Sequence, residues 1–196
     1  IDKLNEHFRR PEEIADLREV ITLTTHNSKA DEINQKELSN LTTDSFVFDA
    51  HLEGDFPESM YPVQLSLELK VGAQIMFVRN DSESKMYFNG KLATVKKIIG
   101  DEVWVEMAES HINYQLKRVR WENKKYTVDE STRDLDEEVI GAFEQYPVKL
   151  AWAITVHKSQ GLTFDKAIID VGQAFANGQV YVALSRLRSL EGLILR

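Results

Sequence analysis

Two hydrophobic rhythms divide this chain. Val20–Thr25 (VITLTT), Leu150–Val156, Lys166–Val171 (KAIIDV) and Leu193–Leu195 are short, nearly continuous apolar runs. Such runs are the mark of strands buried on both faces of an α/β sheet. Between them the period lengthens. Ala30, Ile33, Leu38 and Leu41 form a helical stripe after Asn27, and Ser28 and Asp31 have the spacing of a capping box. Gly178–Leu187 (GQVYVALSRL) has a small, apolar helical face made of Val180, Val182, Ala183 and Leu184, preceded by a loop over Gly172–Gly178. Pro11-Glu12-Glu13 predicts a further helix start. These elements predict a sheet with strands at 20–25, 150–156, 166–171 and 193–195 and helices between them.

The second rhythm fills Leu65–Tyr126, where short β-patterned runs follow one another: Ala73–Val78, Met86–Phe88, Leu92–Ile99, Val103–Met107, Gln115–Trp121 and Lys125–Val128. Asn89-Gly90, Gly100-Asp101 and Glu122-Asn123 supply turn chemistry between them. A small antiparallel barrel or curled sheet is the expected product. Its aromatics Tyr87, Trp104, Trp121 and Tyr126 have the chemistry to stack on bases, although core packing is the commoner use. Leu135–Phe143 reads as a helix returning the chain to the main sheet, and Thr42–Gln64 as a solvated connection.

Composition narrows the picture. The 196 residues are 42% hydrophobic and 29% charged, as in an ordinary globular chain. No apolar run approaches the ~20 residues that span a bilayer, and the polar opening IDKLNEHFRR carries no signal-peptide core. There is no cysteine, so disulfides and thiolate metal sites are excluded, and the five histidines (His7, His26, His51, His111, His157) lack metal-ligand spacing. No metal ligand is assigned. A cytoplasmic setting is expected, nucleoid-associated in a bacterium. The net charge of −8 is uneven: from Pro147 onward six Lys and Arg face three acids, giving +3 and leaving −11 elsewhere. An acidic body with a basic edge suits phosphate binding in a groove rather than a basic coat.

The candidate chemistry lies on that edge. Trp152–Gly161 reads WAITVHKSQG, a buried strand that delivers His157, Lys158, Ser159 and Gln160 and then turns at Gly161. Open α/β sheets bind ligands beyond the carboxyl ends of their strands, and these four side chains offer donors for phosphate or base edges. Arg186 follows small residues at the end of its helix, placed either to cap that helix end or to reach a phosphate presented by another domain.

Together WAITVHKSQG and GQVYVALSRL resemble the fifth and sixth signature motifs of superfamily 1 helicases, in the class that includes RecD and the petite-integration-frequency (PIF) helicases. VGAQIMFVRND (71–81) with NGKLATV (89–95) resembles the SH3-like barrel inserted in their second motor domain, and Leu4-Asn5 resembles the pair that often precedes it. The resemblance implies an α/β, RecA-like second motor domain of P-loop NTPase type: residues 1–64 and 147–196 form it, and 65–146 form the inserted barrel and return segment.

The resemblance further implies that Arg186 is an arginine finger, that Gln160, Gly161 and Arg186 serve ATP, and that Asn27, Thr155, His157, Lys158 and Ser159 hold single-stranded DNA, with Thr25 and His26 nearby. Thr163 stands where many relatives have a ribose-binding glutamate, so no ribose contact is expected. Tyr181 and Ser185 have places near the nucleotide. The chain has no G-x-x-x-x-G-K-[ST] phosphate loop. The cradle for ATP and the ligands for Mg2+ are therefore expected on a first motor domain of the same parent chain, and residues 1–196 alone should hydrolyse no ATP. Expected partners are that domain, single-stranded DNA and duplex junctions, with no membrane. The whole would be an ATP-dependent 5′-to-3′ DNA helicase. The rival readings are a non-catalytic single-strand-binding module built on the barrel, and a regulatory RecA-like subunit donating Arg186 in trans.

Overall fold

The computed structural model describes residues 4, 6–9, 19–128, 135–170 and 178–196. The helix start expected at Pro11 and most of the loop over Gly172–Gly178 lie outside them, as does Asn5 of the Leu4-Asn5 pair.

Four parallel strands form the first sheet, in the order β12 (Ala153–Thr155), β1 (Ile21–Thr24), β13 (Ala167–Ile169), β14 (Leu193–Leu195). All four match apolar runs in the sequence. Helix α1 (Asn27–Asn40) follows β1, and α2 (Gln179–Leu184) precedes β14. Ile21, Leu23, Ile154, Phe164, Ala167, Ile169 and Ala183 share one buried core. The parallel order with helices between strands is that of a RecA-like domain.

The first turn of α1 departs from the sequence reading. His26 is its N-cap and makes no side-chain cap bond, while Ser28 already lies inside the helix. The Thr24 hydroxyl donates to the His26 carbonyl at 3.2 Å, and the Thr25 hydroxyl lies 2.7 Å from His26 Nδ1. These contacts fix the strand end and the His26 ring, and neither satisfies a backbone N–H of the first turn of α1.

The remaining strands are antiparallel. One sheet has the order β11 (Val148–Leu150), β5 (Gln74–Phe77), β6 (Leu92–Ile99), β7 (Glu102–Met107), β8 (Asn113–Gln115). A second has the order β3 (His51–Gly54), β10 (Leu135–Gln145), β9 (Val119–Val128), and β2 (Ser45–Asp49) pairs with β4 (Ser66–Lys70). Phe48, Leu67, Leu69, Ile75, Phe77, Val95, Val105 and Val148 close a core across β2, β4, β5, β6, β7 and β11.

Several expectations are corrected here. Leu135–Phe143 is strand, not helix: β10 is paired on both edges, and tertiary pairing overrides a weak helical pattern. Gly141 sits at its bulge, where an added Cβ would lie 2.1 Å from the Asp55 carbonyl oxygen, so only glycine permits the approach of the neighbouring chain. Glu122-Asn123 is no turn, because β9 runs unbroken through it and the Asn123 amide donates to the Asp55 carbonyl at 2.8 Å. Met86–Phe88 is not a strand. It ends a long connection between β5 and β6, organised by Asp81, whose carboxylate accepts from the backbone N–H groups of Glu83, Ser84 and Met86. Thr42–Gln64 is no solvated connection either, since it contributes β2 and β3 and buries Phe48 and Phe56. Gly100-Asp101 makes the β6–β7 hairpin turn as read, with φ +55° at the glycine, whereas Asn89-Gly90 turns with φ +99° at Gly90 but closes no hairpin, since no strand precedes it there.

The most consequential correction concerns Leu150–Val156. Read as one strand, it is divided between two sheets: β11 ends at Leu150 in the antiparallel sheet, and β12 begins at Ala153 on the edge of the parallel one. Gln74 forms the joint. Its side-chain amide donates to the carbonyls of Val20 (2.9 Å) and Ala151 (2.8 Å), its side-chain oxygen accepts from Glu19 N–H (2.9 Å), and its own carbonyl accepts from Ala151 N–H (3.0 Å). Buried backbone groups left by the strand switch are thereby satisfied. On the outer edge of β12, the Asn34 side chain of α1 both donates to and accepts from Ala153, at 3.0 and 2.9 Å, as a neighbouring strand would.

Candidate nucleic-acid interface

Beyond β12 the chain makes a compact turn. Ser159 N–H donates to the Thr155 carbonyl at 2.9 Å, Lys158 N–H to the Thr155 hydroxyl at 3.3 Å, and Leu162 N–H to the Ser159 carbonyl at 3.0 Å. His157, Lys158, Gln160 and Gly161 are exposed on this turn. Ser159 is fully enclosed, and its hydroxyl donates to the Val156 carbonyl at 2.7 Å, so it supports the turn rather than projecting from it. Gly161 has φ +80° and open space where a Cβ would stand. Positive φ, not a close neighbour within the described residues, is what requires glycine there.

The turn meets a groove of about 580 Å³ between α1, the loop before β4, and strands β5, β11 and β12. Three residues singled out in the sequence, Asn27, Thr155 and Lys158, line it together. His157, Gln160 and Gly161 stand on the same turn without lining the groove. Sequence reasoning missed the other polar lining residues, among them Tyr61, Gln64, Asn89 and Lys149. Lys149 had a legible signal, as the single charged residue between Glu144 and His157. Burial, and secondly the nearby charge of Lys158, push its ammonium down to about 8.

Arg186 lies at the carboxyl end of α2, half-buried. Its Nε donates to the Val182 carbonyl at 3.2 Å and its Nη2 to the Ser185 hydroxyl at 2.9 Å, while Nη1 has no partner among the described residues. In this conformation the guanidinium caps its own helix, with one edge left for a ligand. The segment that carries Arg186 is tied to the residues just after the turn: Phe164 N–H donates to the Arg186 carbonyl at 2.8 Å, and Arg188 N–H to the Phe164 carbonyl at 3.0 Å. Tyr181 is 76% exposed.

Next to this seam a cavity of about 230 Å³ holds Thr163 and two ion pairs, Lys91–Glu109 (3.4 Å) and Arg188–Asp165 (2.9 Å). A hydrogen bond to Asp165, with burial, raises the Glu109 carboxyl above its usual range. Of the aromatics singled out as possible base stackers, Tyr87 is buried and stacked on Phe77 at 3.9 Å, and Trp121 packs edge-on against Phe143 at 5.9 Å. Tyr126 is exposed. Among the described residues no group of His, Cys, Asp and Glu forms a metal site, and no helix is long and apolar enough to cross a membrane.

No family model matches the chain. Among curated proteins it is similar to the ATP-dependent DNA helicase Pif1 of Bdellovibrio bacteriovorus, 32% identical over 169 residues, covering 84% of this chain and 36% of that one. Among solved structures it is similar to unliganded Pif1 from Bacteroides sp, with TM-score 0.89 and 39% identity, covering 99% of this chain and 44% of that one. It is also similar to Bacteroides Pif1 bound to ssDNA, with TM-score 0.74, 40% identity and the same coverage. The chain thus spans a little over a third of that curated relative. With the two signature stretches placed at the end of β12 and in α2, this chain belongs to the Pif1-type superfamily 1 DNA helicases and corresponds to their second motor domain.

Proposed function

We propose that this chain is the C-terminal motor domain of an ATP-dependent 5′-to-3′ DNA helicase that translocates on single-stranded DNA and unwinds duplex at junctions. The observation that carries the reading is the convergence of Asn27, Thr155 and Lys158 on one groove, in a chain whose relatives are ATP-dependent DNA helicases. In this reading Asn27, Thr155, His157 and Lys158 hold the strand by its phosphates, which positions it without reading sequence. Ser159 and Gly161 shape the turn that presents them. The antiparallel strands within residues 65–146 are the SH3-like barrel, and residues 1–64 and 147–196 are the two parts of the motor domain, which lend β2, β3 and β11 to the antiparallel sheets.

Arg186 suits a place beside ATP, with a half-buried guanidinium whose Nη1 has no partner among the described residues, and Gln160 and Gly161 would face the same nucleotide. Bound ATP with Mg2+ would supply the phosphoryl group for transfer, cradled by a first motor domain. Arg186 would stabilise the charge that builds on that group, an effect worth ~10³–10⁵ in rate. Gln160, on the turn that also carries Lys158, would couple the nucleotide to the strand. Residues 1–196 alone would turn over no ATP, and the full protein would act in the cytoplasm or nucleoid.

Steady-state ATPase of the full-length protein, with and without single-stranded DNA, tests this beside Arg186→Ala. Stimulation by DNA that collapses in the variant, while ATP binding persists, is the expected result. An unstimulated wild type would overturn the helicase reading, and an unaffected variant would remove Arg186 from the reaction.

A further inference from the structure

Lys149 is the one cation of the groove to which the roles above give no work. Its neighbours Val148 and Leu150 turn into the antiparallel core. Strand alternation therefore sends Lys149 to the opposite face of β11, where it stands across the ladder from Met76 and opens into the groove. Among the described residues it forms neither an ion pair nor a hydrogen bond. The titratable groups lining the groove around it are Asp31 from α1, Tyr61 from the loop before β4, and Lys158 from the turn after β12.

We propose that Lys149 and Lys158 together seat one backbone phosphate of a single strand lying in the groove, with Lys149 as the more deeply placed ligand. The inference rests on reading this groove as the path of the strand. Burying a cation beside a second cation is unfavourable unless an anion joins them. A phosphodiester supplies two unesterified oxygens, enough for one hydrogen bond from each ammonium. The downward shift of Lys149, to about 8, comes first from burial and then from the charge of Lys158. An arriving phosphate reverses both of its causes, replacing lost solvation and screening Lys158. Binding is then accompanied by proton uptake wherever the free groove has begun to lose its proton, from about pH 8 upward. A lysine that merely filled space would show no such linkage.

Fluorescence anisotropy of labelled oligothymidylate with the full-length protein, over a salt series and at pH 7 and 9, tests the seat in the wild type, Lys149→Met, Lys149→Arg and Lys158→Met. Lys149→Met is expected to weaken binding about tenfold, the scale of one charge-assisted hydrogen bond. It should also make the log–log salt dependence shallower by about 0.7, the increment for one phosphate contact on a single strand. The wild type should lose affinity between pH 7 and 9, and Lys149→Arg should keep the salt slope while losing that pH dependence, because a guanidinium stays charged. A salt slope unchanged by Lys149→Met, alongside a loss in Lys158→Met, would overturn the seat and leave the groove standing. Slopes unchanged in both lysine variants would overturn the groove as well. Absence of wild-type binding would overturn the helicase reading itself.

Discussion

Phe164 and Arg186 are joined main chain to main chain: the Phe164 N–H donates to the Arg186 carbonyl at 2.8 Å. Gly161 is three residues away on one side of this link and the guanidinium belongs to the other. The turn that carries Lys158 and the segment that carries Arg186 are therefore linked through main chain alone. The side chain of Phe164 holds the link in place from within, being 3% exposed in the core beneath the parallel sheet.

Phe164→Ala should cost about 3–5 kcal/mol in stability, the usual range for removing a buried phenyl. Phe164→Leu, which keeps most of the volume, should cost much less. Chemical denaturation of the two variants provides the comparison. Equal and small losses would show that the phenyl does not anchor this seam.

Gln74→Met keeps the length of the side chain and removes all three of its polar contacts. The N–H of Glu19 and the carbonyls of Val20 and Ala151 then lose their partners, at roughly 1–3 kcal/mol for each group left buried. A drop in unfolding free energy of at least 2 kcal/mol is expected, with hydrogen exchange accelerating first around Ala151. A change below ~0.5 kcal/mol, the range of ordinary surface substitutions, would show that the joint is not made by this side chain.

Lys149 presents the opposite sign. Its ammonium is pushed from 10.5 down to about 8, by burial first and by Lys158 second. The unfolded chain therefore binds one more proton than the folded chain between those values, and stability rises with pH across that window. Below pH 8 the folded protein carries the full penalty, so Lys149→Met should stabilise it at pH 7 by on the order of 2–3 kcal/mol. The gain should fade as pH rises from 8 to 10.5. Urea titrations of the free protein at pH 7 and 10 measure it, and a destabilised variant at pH 7 would show that the lysine stem packs more than its charge costs.

Asp81 contributes to the acid limb. The hydroxyl of Ser84 first, then the N–H groups of Met86, Ser84 and Glu83, hold its carboxyl down at about 2, against 3.8 ordinarily. Its folded value is the lower one, so its stabilisation is complete above about pH 4 and is lost as pH falls to 2. Asp81→Asn should flatten the thermal-stability profile across that interval and loosen residues 81–86. An unchanged profile would assign the acid sensitivity to other carboxylates.

How much of this was legible in the chain depended on whether the information was local. The four apolar runs announced the parallel sheet because strands buried on both faces need no partner-specific pattern. Asn89-Gly90 and Gly100-Asp101 announced turns because positive φ selects residue types. Leu135–Phe143 misled because its strand identity comes from β3 and β9, the former more than eighty residues distant in sequence. At the site, the Trp152–Gly161 stretch pointed to Thr155 and Lys158, and the end of the Val20–Thr25 run pointed to Asn27. The burial of the Ser159 hydroxyl, and the entry of Lys149, Tyr61, Gln64 and Asn89 into the groove, were set by how the two sheets pack. No spacing along the chain records that packing.

The division of Leu150–Val156 between two sheets has a mechanical meaning. Lys149 rides on the antiparallel side of Ala151, and Thr155 and Lys158 on the parallel side. The two jaws of the groove are thus opposite ends of one stretch of backbone, with its fulcrum at the residue gripped by Gln74. A strand held at both ends of that stretch would load the joint at Ala151 as a grip loads the pivot of a pair of pliers.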